Sequence, residues 1–134
     1  MTVIAMNFTG VHATRSDKPI KGELKVNSTP KITEVKEISV SRLNQKALSM
    51  NFEFLTDYSQ DVGQIKVEGN LLVLAPEPAK VAEQWKKGKT LPEEVSVDVL
   101  NHLFRRCLVK IAMLADDLQL PPPIQLPRVQ PKKE

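Results

Sequence analysis

The sequence predicts an α+β domain in which an antiparallel four-stranded sheet is followed by a short and a long helix packed on one of its faces. Three features predict it. Strand-like patterning runs as far as Leu74, the apolar period changes from two to about 3.6 after Pro76 and Pro78, and the prolines at 121, 122 and 123 end the last apolar stripe.

The first strand is read in residues 2–14, where Val3, Ile4, Met6, Phe8 and Val11 mix with Thr and Asn. In an extended chain Ile4, Met6 and Phe8 share one side, because successive side chains alternate. Residues 15–29 are polar, carry Pro19 and Gly22, and offer only Ile20, Leu24 and Val26 as anchors, so a long connection follows, with room for a short edge strand. The β-branched content of residues 31–43 (Ile32, Thr33, Val35, Ile38, Val40) predicts a second strand. Leu48, Met50, Phe52 and Phe54 then alternate with Ser49, Asn51 and Glu53, the mark of a third strand with one wet face. Residues 57–61 supply turn chemistry before Ile65, Val67 and the run 71–74 form a fourth strand, in which Gly69 and Asn70 mark a bulge or bend.

A short helix over residues 78–87 would bury Val81, Ala82 and Trp85, with Lys86, Lys87 and Lys89 near its negative C-terminal end and Gly88 as its stop. Thr90 and Glu93 have the spacing of a capping box around Pro92. The long helix opens with these residues and carries an apolar stripe from Val95 to Leu118, its face being Leu100, Leu103, Phe104, Cys107, Leu108, Ile111, Ala115 and Leu118. Burying eight such side chains contributes on the order of 10 to 20 kcal/mol before conformational entropy is subtracted.

A chain of 134 residues with 41% apolar and 26% charged content accommodates one ordinary core. Residues 1–120 are read as that domain and 121–134 as a proline-rich basic tail. The lone Cys107 allows no internal disulfide, and no window approaches the ~18 apolar residues of a membrane span, so a reducing cytoplasmic setting without membrane insertion is expected. The net charge of +3 permits phosphate contacts without demanding them.

Two stretches carry a resemblance. Ile65-Lys66-Val67-Glu68-Gly69-Asn70-Leu71 has a valine ahead of a glycine step, and Phe104-Arg105-Arg106-Cys107-Leu108-Val109-Lys110 opens with an aromatic followed by basic and small residues. With the exit Leu120-Pro121-Pro122-Pro123-Ile124-Gln125-Leu126-Pro127-Arg128-Val129, the chain resembles the SecB family of protein-export chaperones and its SecB-like relatives. The resemblance implies a tetramer that holds unfolded chains in grooves lined by aromatics and aliphatics and docks on an export motor through acidic surface. This chain is basic and has only six aromatics, Phe8, Phe52, Phe54, Tyr58, Trp85 and Phe104, which puts motor docking in doubt.

No catalytic set emerges. His102 follows Asp98 by one helical turn, an ordinary surface pair, and a separation of five turns Cys107 away from His102. Cys107 reads as core, His12 is isolated, the five glycines are scattered singly, and neither a metal site nor a cofactor is expected. The basic residues Arg15, Lys18, Lys21, Arg105, Arg106, Lys110, Arg128, Lys132 and Lys133 are candidates for phosphate contacts, against the plainer account that they are solvated surface. The first expectation is therefore a non-catalytic SecB-like accessory protein of the translation machinery, docked through rRNA and ribosomal proteins on the large subunit of an archaeal-type ribosome. The alternative is a free cytosolic holdase, a homo-oligomer binding unfolded polypeptide. Its groove would be lined by Ile4, Met6, Phe8, Leu48, Met50, Phe52 and Phe54, residues whose plainer role is core.

Overall fold

The computed structural model describes residues 2–124. Four strands, β1 (Thr2–Arg15), β2 (Val26–Val40), β3 (Gln45–Tyr58) and β4 (Gly63–Leu74), precede two helices, α1 (Pro78–Gly88) and α2 (Glu93–Asp117). The strands form one antiparallel sheet in the order β1-β4-β3-β2, so consecutive β1 and β2 occupy opposite edges. Residues 16–25 must therefore cross three strand spacings, about 14 Å. They do so over the end of the sheet, where Ser16 donates to the Val62 carbonyl and Lys25 exchanges hydrogen bonds with Ser59 of the Ser59–Asp61 turn.

The second strand begins five residues earlier than its composition predicts and takes in Pro30. An edge strand has one row of N–H groups with no partner to serve, so proline is tolerated there. It also ends earlier, at Val40; a single 3-10 turn, Ser41–Leu43, hands the chain to Asn44 in the left-handed region.

The expected bulge at Gly69 and Asn70 is corrected. Both pair regularly, and the irregularities lie on β1, between Val3 and Ala5 and between Phe8 and Gly10, with a third on β2 between Ile32 and Glu34. Gly69 instead allows close approach. It pairs with Phe8 on one side and Phe52 on the other, and over it the two rings meet edge to face at 6.1 Å.

The core lies between the sheet and the helices. Buried rows on β3 (Leu48, Met50, Phe52, Phe54, Tyr58) and β4 (Ile65, Val67, Leu71, Val73) face Val81, Ala82 and Trp85 of α1 and Val95, Val99, Leu103, Cys107, Ile111 and Ala115 of α2. The α2 row repeats every four residues. Because four residues overshoot one turn of 3.6, that contact line winds slowly around the helix. This moves the buried face off the predicted one: Leu100, Leu108 and Leu118 are only half-buried and Phe104 is exposed. The capping box does not form either. Pro92, extended at ψ 143°, precedes the helix without a side-chain cap, while the Thr90 hydroxyl accepts a bond from the Gln84 amide at 3.4 Å.

Candidate functional site

Among the described residues, the basic candidates are divided between the end of β1, the crossing connection and α2. Arg15 has a structural role, because its Nη1 donates to the carbonyls of Leu118 (2.8 Å) and Gln119 (2.6 Å) and so ties the end of β1 to the exit of α2. A guanidinium there satisfies carbonyls that the helix itself leaves open and sits at the negative end of its dipole. Lys18 and Lys21 stand exposed on the crossing connection, Arg105 and Arg106 are exposed on α2, and Lys110 is half-buried. Arg128, Lys132 and Lys133 lie outside the described residues.

The exit from α2 is held at three points that sequence reasoning did not anticipate. Besides the Arg15 contacts, the buried Tyr58 hydroxyl donates to the Pro121 carbonyl, and Leu120, buried, lies against Gly63 at the start of β4. Burial pushes the Tyr58 phenol upward, so it remains a neutral donor at physiological pH. A Gln60 amide reaching Lys21 and Glu23 ties the crossing connection to the same end of the sheet. Replacing Arg15 by methionine is expected to cost about 1 kcal/mol and Tyr58 by phenylalanine a similar amount. Amide exchange at residues 118–120 should accelerate in both, and unchanged exchange would show that the exit is held elsewhere.

The candidate apolar groove is corrected by burial. Leu48, Met50, Phe52 and Phe54 are at most 1% exposed, closed under the helices, and cannot line an open groove. Met6 and Phe8 pack half-buried against the same core. Ile4 departs from them because the irregularity between Val3 and Ala5 breaks the alternation, leaving it 37% exposed and outside that packing.

Accessible apolar surface lies on α2 instead. Val97, Asn101, Arg105, Val109 and Met113 recur every four residues along an exposed ridge, on which Val97, Val109 and Met113 are 50, 56 and 62% exposed. Beside its C-terminal half runs a trough of about 490 Å³ lined by Val109, Ala112, Met113 and Asp116 from the helix and Leu120, Pro122 and Ile124 from the exit. A volume and lining of this kind suit an apolar ligand. Phe104 extends the surface along the helix, its ring standing edge to face on Phe54 at 5.4 Å. A second groove, between β2 and α1, has a mixed lining of Val35, Ala79 and Ala82 with Lys36, Glu37, Glu83 and Lys86. There Glu37 pairs with Lys46 at 3.4 Å and its other oxygen is enclosed without a partner.

Neither titratable candidate of the long helix shows catalytic geometry. Burial, then Arg106 and Arg105, hold His102 below its ordinary pKa, and no ion pair with Asp98 is among those the described residues make. Cys107 is fully enclosed and burial raises its thiol to about 12. A thiol raised in the folded state stabilises the fold fully below its unfolded pKa near 9, and that contribution disappears as pH climbs toward 12. Native protein should therefore resist thiol alkylation at pH 8 and unfold more readily above pH 9; rapid native alkylation would contradict the burial. Among the described residues no group of three or more His, Cys, Asp or Glu could hold a metal ion, and no helix is long and apolar enough to cross a membrane.

No family model matches the sequence, and a search of curated proteins found no match. Comparison of the fold did. The chain superposes on the SecB-like chaperone Rv1957 of Mycobacterium tuberculosis, solved in complex with a ChAD peptide from the Rv1956 HigA1 antitoxin, with a TM-score of 0.61 over 98% of this chain and 92% of that one. This chain has the SecB-like fold. At 15% identity the likeness is one of architecture, and it matches the sheet-then-helices order that the sequence predicts. In this chain α2 lies across one sheet face and its outer ridge is exposed, with the apolar trough beside that ridge.

Proposed function

We propose that this chain is a non-catalytic, cytoplasmic holdase that takes up extended apolar segments of unfolded polypeptide along the trough and ridge of α2. The observation that carries the reading is the accessible apolar strip of Val109, Ala112, Met113, Pro122 and Ile124, backed by the buried Leu120, on a SecB-like scaffold. The peptide held by the structural neighbour supports the same ligand class. Docking on rRNA finds no such support: Arg15 is engaged with the α2 exit, and the other described basic residues are divided between the connection and the helix.

Self-association fits the two sheet edges. β2 carries the features that discourage strand addition, namely Pro30, Lys31, Glu34, Lys36 and an irregular register. β1 is 14 residues long and bears no acidic residue, no proline and no lysine, its arginine being the last residue. A second copy pairing on β1 would cover that edge.

The test is suppression of client aggregation, followed by light scattering, with the full chain and with a Val109→Glu, Met113→Glu variant. The wild type is expected to keep the client soluble, and the variant to need about thirtyfold more protein, the consequence of losing two apolar contacts of roughly 1 kcal/mol each. No suppression at any ratio would defeat the holdase reading. Full activity in the variant would remove the trough from it, and salt-sensitive sedimentation with ribosomes would restore the first expectation.

A further inference from the structure

The trough beside α2 is apolar along its walls and charged at its ends. Val109, Ala112 and Met113 face Pro122 and Ile124 across it, and toward the helix terminus it takes in the carboxylate of Asp116. On the ridge that carries Val109 and Met113, one turn toward the N-terminus, stands the exposed Arg105. Neither charge is used by the ion pairs that the described residues make. Asp116 also runs against local preference. The last turn of α2 holds Asp116 and Asp117 and no base, although the negative end of a helix favours cations. A preference overridden at the mouth of an apolar trough is expected where the residue serves something it meets from outside.

We propose that the trough selects extended polypeptide by charge order: an acidic residue against Arg105, apolar residues two and four positions along on Val109 and Met113, and a basic residue five positions along against Asp116. The inference rests on the trough being the client surface and names the segments it takes. Spacing supports the order. At about 1.5 Å per helical residue, Val109 lies about 6 Å from Arg105, Met113 about 12 Å and Asp116 about 16 Å. An extended chain advances about 3.3 Å per residue and returns a side chain to the same face every second position, about 6.6 Å on. The three ridge residues therefore match alternate positions of such a segment. Asp116 lies off the ridge, on the trough side with Ala112, and matches the next odd position, whose side chain turns off the ridge. The signs are reinforced by sequence neighbours, since Arg106 beside Arg105 and Asp117 beside Asp116 are both exposed.

The experiment measures the binding of two fluorescein-labelled peptides to the full chain by anisotropy. Between Gly-Ser flanks one carries Glu-Ser-Leu-Ser-Leu-Lys, and the other carries the same residues with the charges exchanged, Lys-Ser-Leu-Ser-Leu-Glu. Bound end for end, the exchanged peptide meets both charges again, but its leucines then fall at odd positions and leave the ridge. The first peptide is expected to bind about tenfold more tightly, since turning an exposed attraction into a repulsion is worth about threefold at each end. That margin should shrink below about twofold near 1 M salt. In an Arg105→Glu, Asp116→Lys variant the preference should invert. Equal affinities that are both lost in Val109→Glu, Met113→Glu, or a preference that the charge-exchanged protein fails to invert, overturn the charge order and leave the trough as client surface. No binding of either peptide, or binding that Val109→Glu, Met113→Glu leaves untouched, overturns both.

Discussion

Gly69→Ala is expected to lower the stability of the domain by about 3 kcal/mol, the upper end of overpacking penalties. A Cβ at this position would collide with the Asn7 carbonyl and lie 2.9 Å from the Phe52 Cζ. The carbonyl is main chain of the neighbouring strand, held by the β1–β4 ladder, and cannot withdraw as the end of a flexible side chain would. Pushing β1 away also separates Phe8 from Phe52, whose edge-to-face contact exists because no side chain stands between them. Thermal unfolding should fall by roughly 10 °C for a domain of this size. Gly88→Ala is the control: its added Cβ would meet only the Thr90 hydroxyl at 3.7 Å, and alanine in the last helical turn should be neutral or stabilising by about 0.5 kcal/mol. Equal melting temperatures for Gly69→Ala and the wild type would refute the close-approach account.

Phe54→Ala should cost about 3 to 5 kcal/mol, the usual range for emptying a buried phenylalanine site. Phe54 is fully enclosed on the inner strand β3, between Pro30 of β2 and Val67 of β4, and no neighbour on the paired strands can close the space without breaking register. The loss has a second part, because the exposed Phe104 stands on this ring. A double-mutant cycle with Phe104→Ala should return a coupling of about 1 kcal/mol. Strict additivity would mean that Phe104 gains nothing from its seat and that its exposure is incidental.

The legible part of the molecule was its periodicity. Leu48, Met50, Phe52 and Phe54 alternate cleanly because β3 is an inner strand buried on one side only, and all four are found on the inner face. Val81, Ala82 and Trp85 were readable for the corresponding helical reason. Ile4 was not. An irregularity in register moves a side chain to the other face without any change in residue type, and the sequence of β1 has no glycine or proline there to announce it. Arg15 was misjudged for a related reason: in the sequence it resembles the other free cations, and 103 positions separate it from the carbonyl that engages it.

Residue pattern alone determined the α+β class, the order of the elements and the membership of most of the core, since each depends on spacing that a local window contains. Which residues face outward on α2, which sheet edge is left unguarded, what clamps the helix exit and where the apolar trough opens were decided by tertiary structure. These depend on the strand order, on a contact line that winds around the helix, and on residues distant in the chain that meet only when the sheet has closed. The groove expected on the sheet was therefore core, and the accessible apolar surface lay on the helix that covers it.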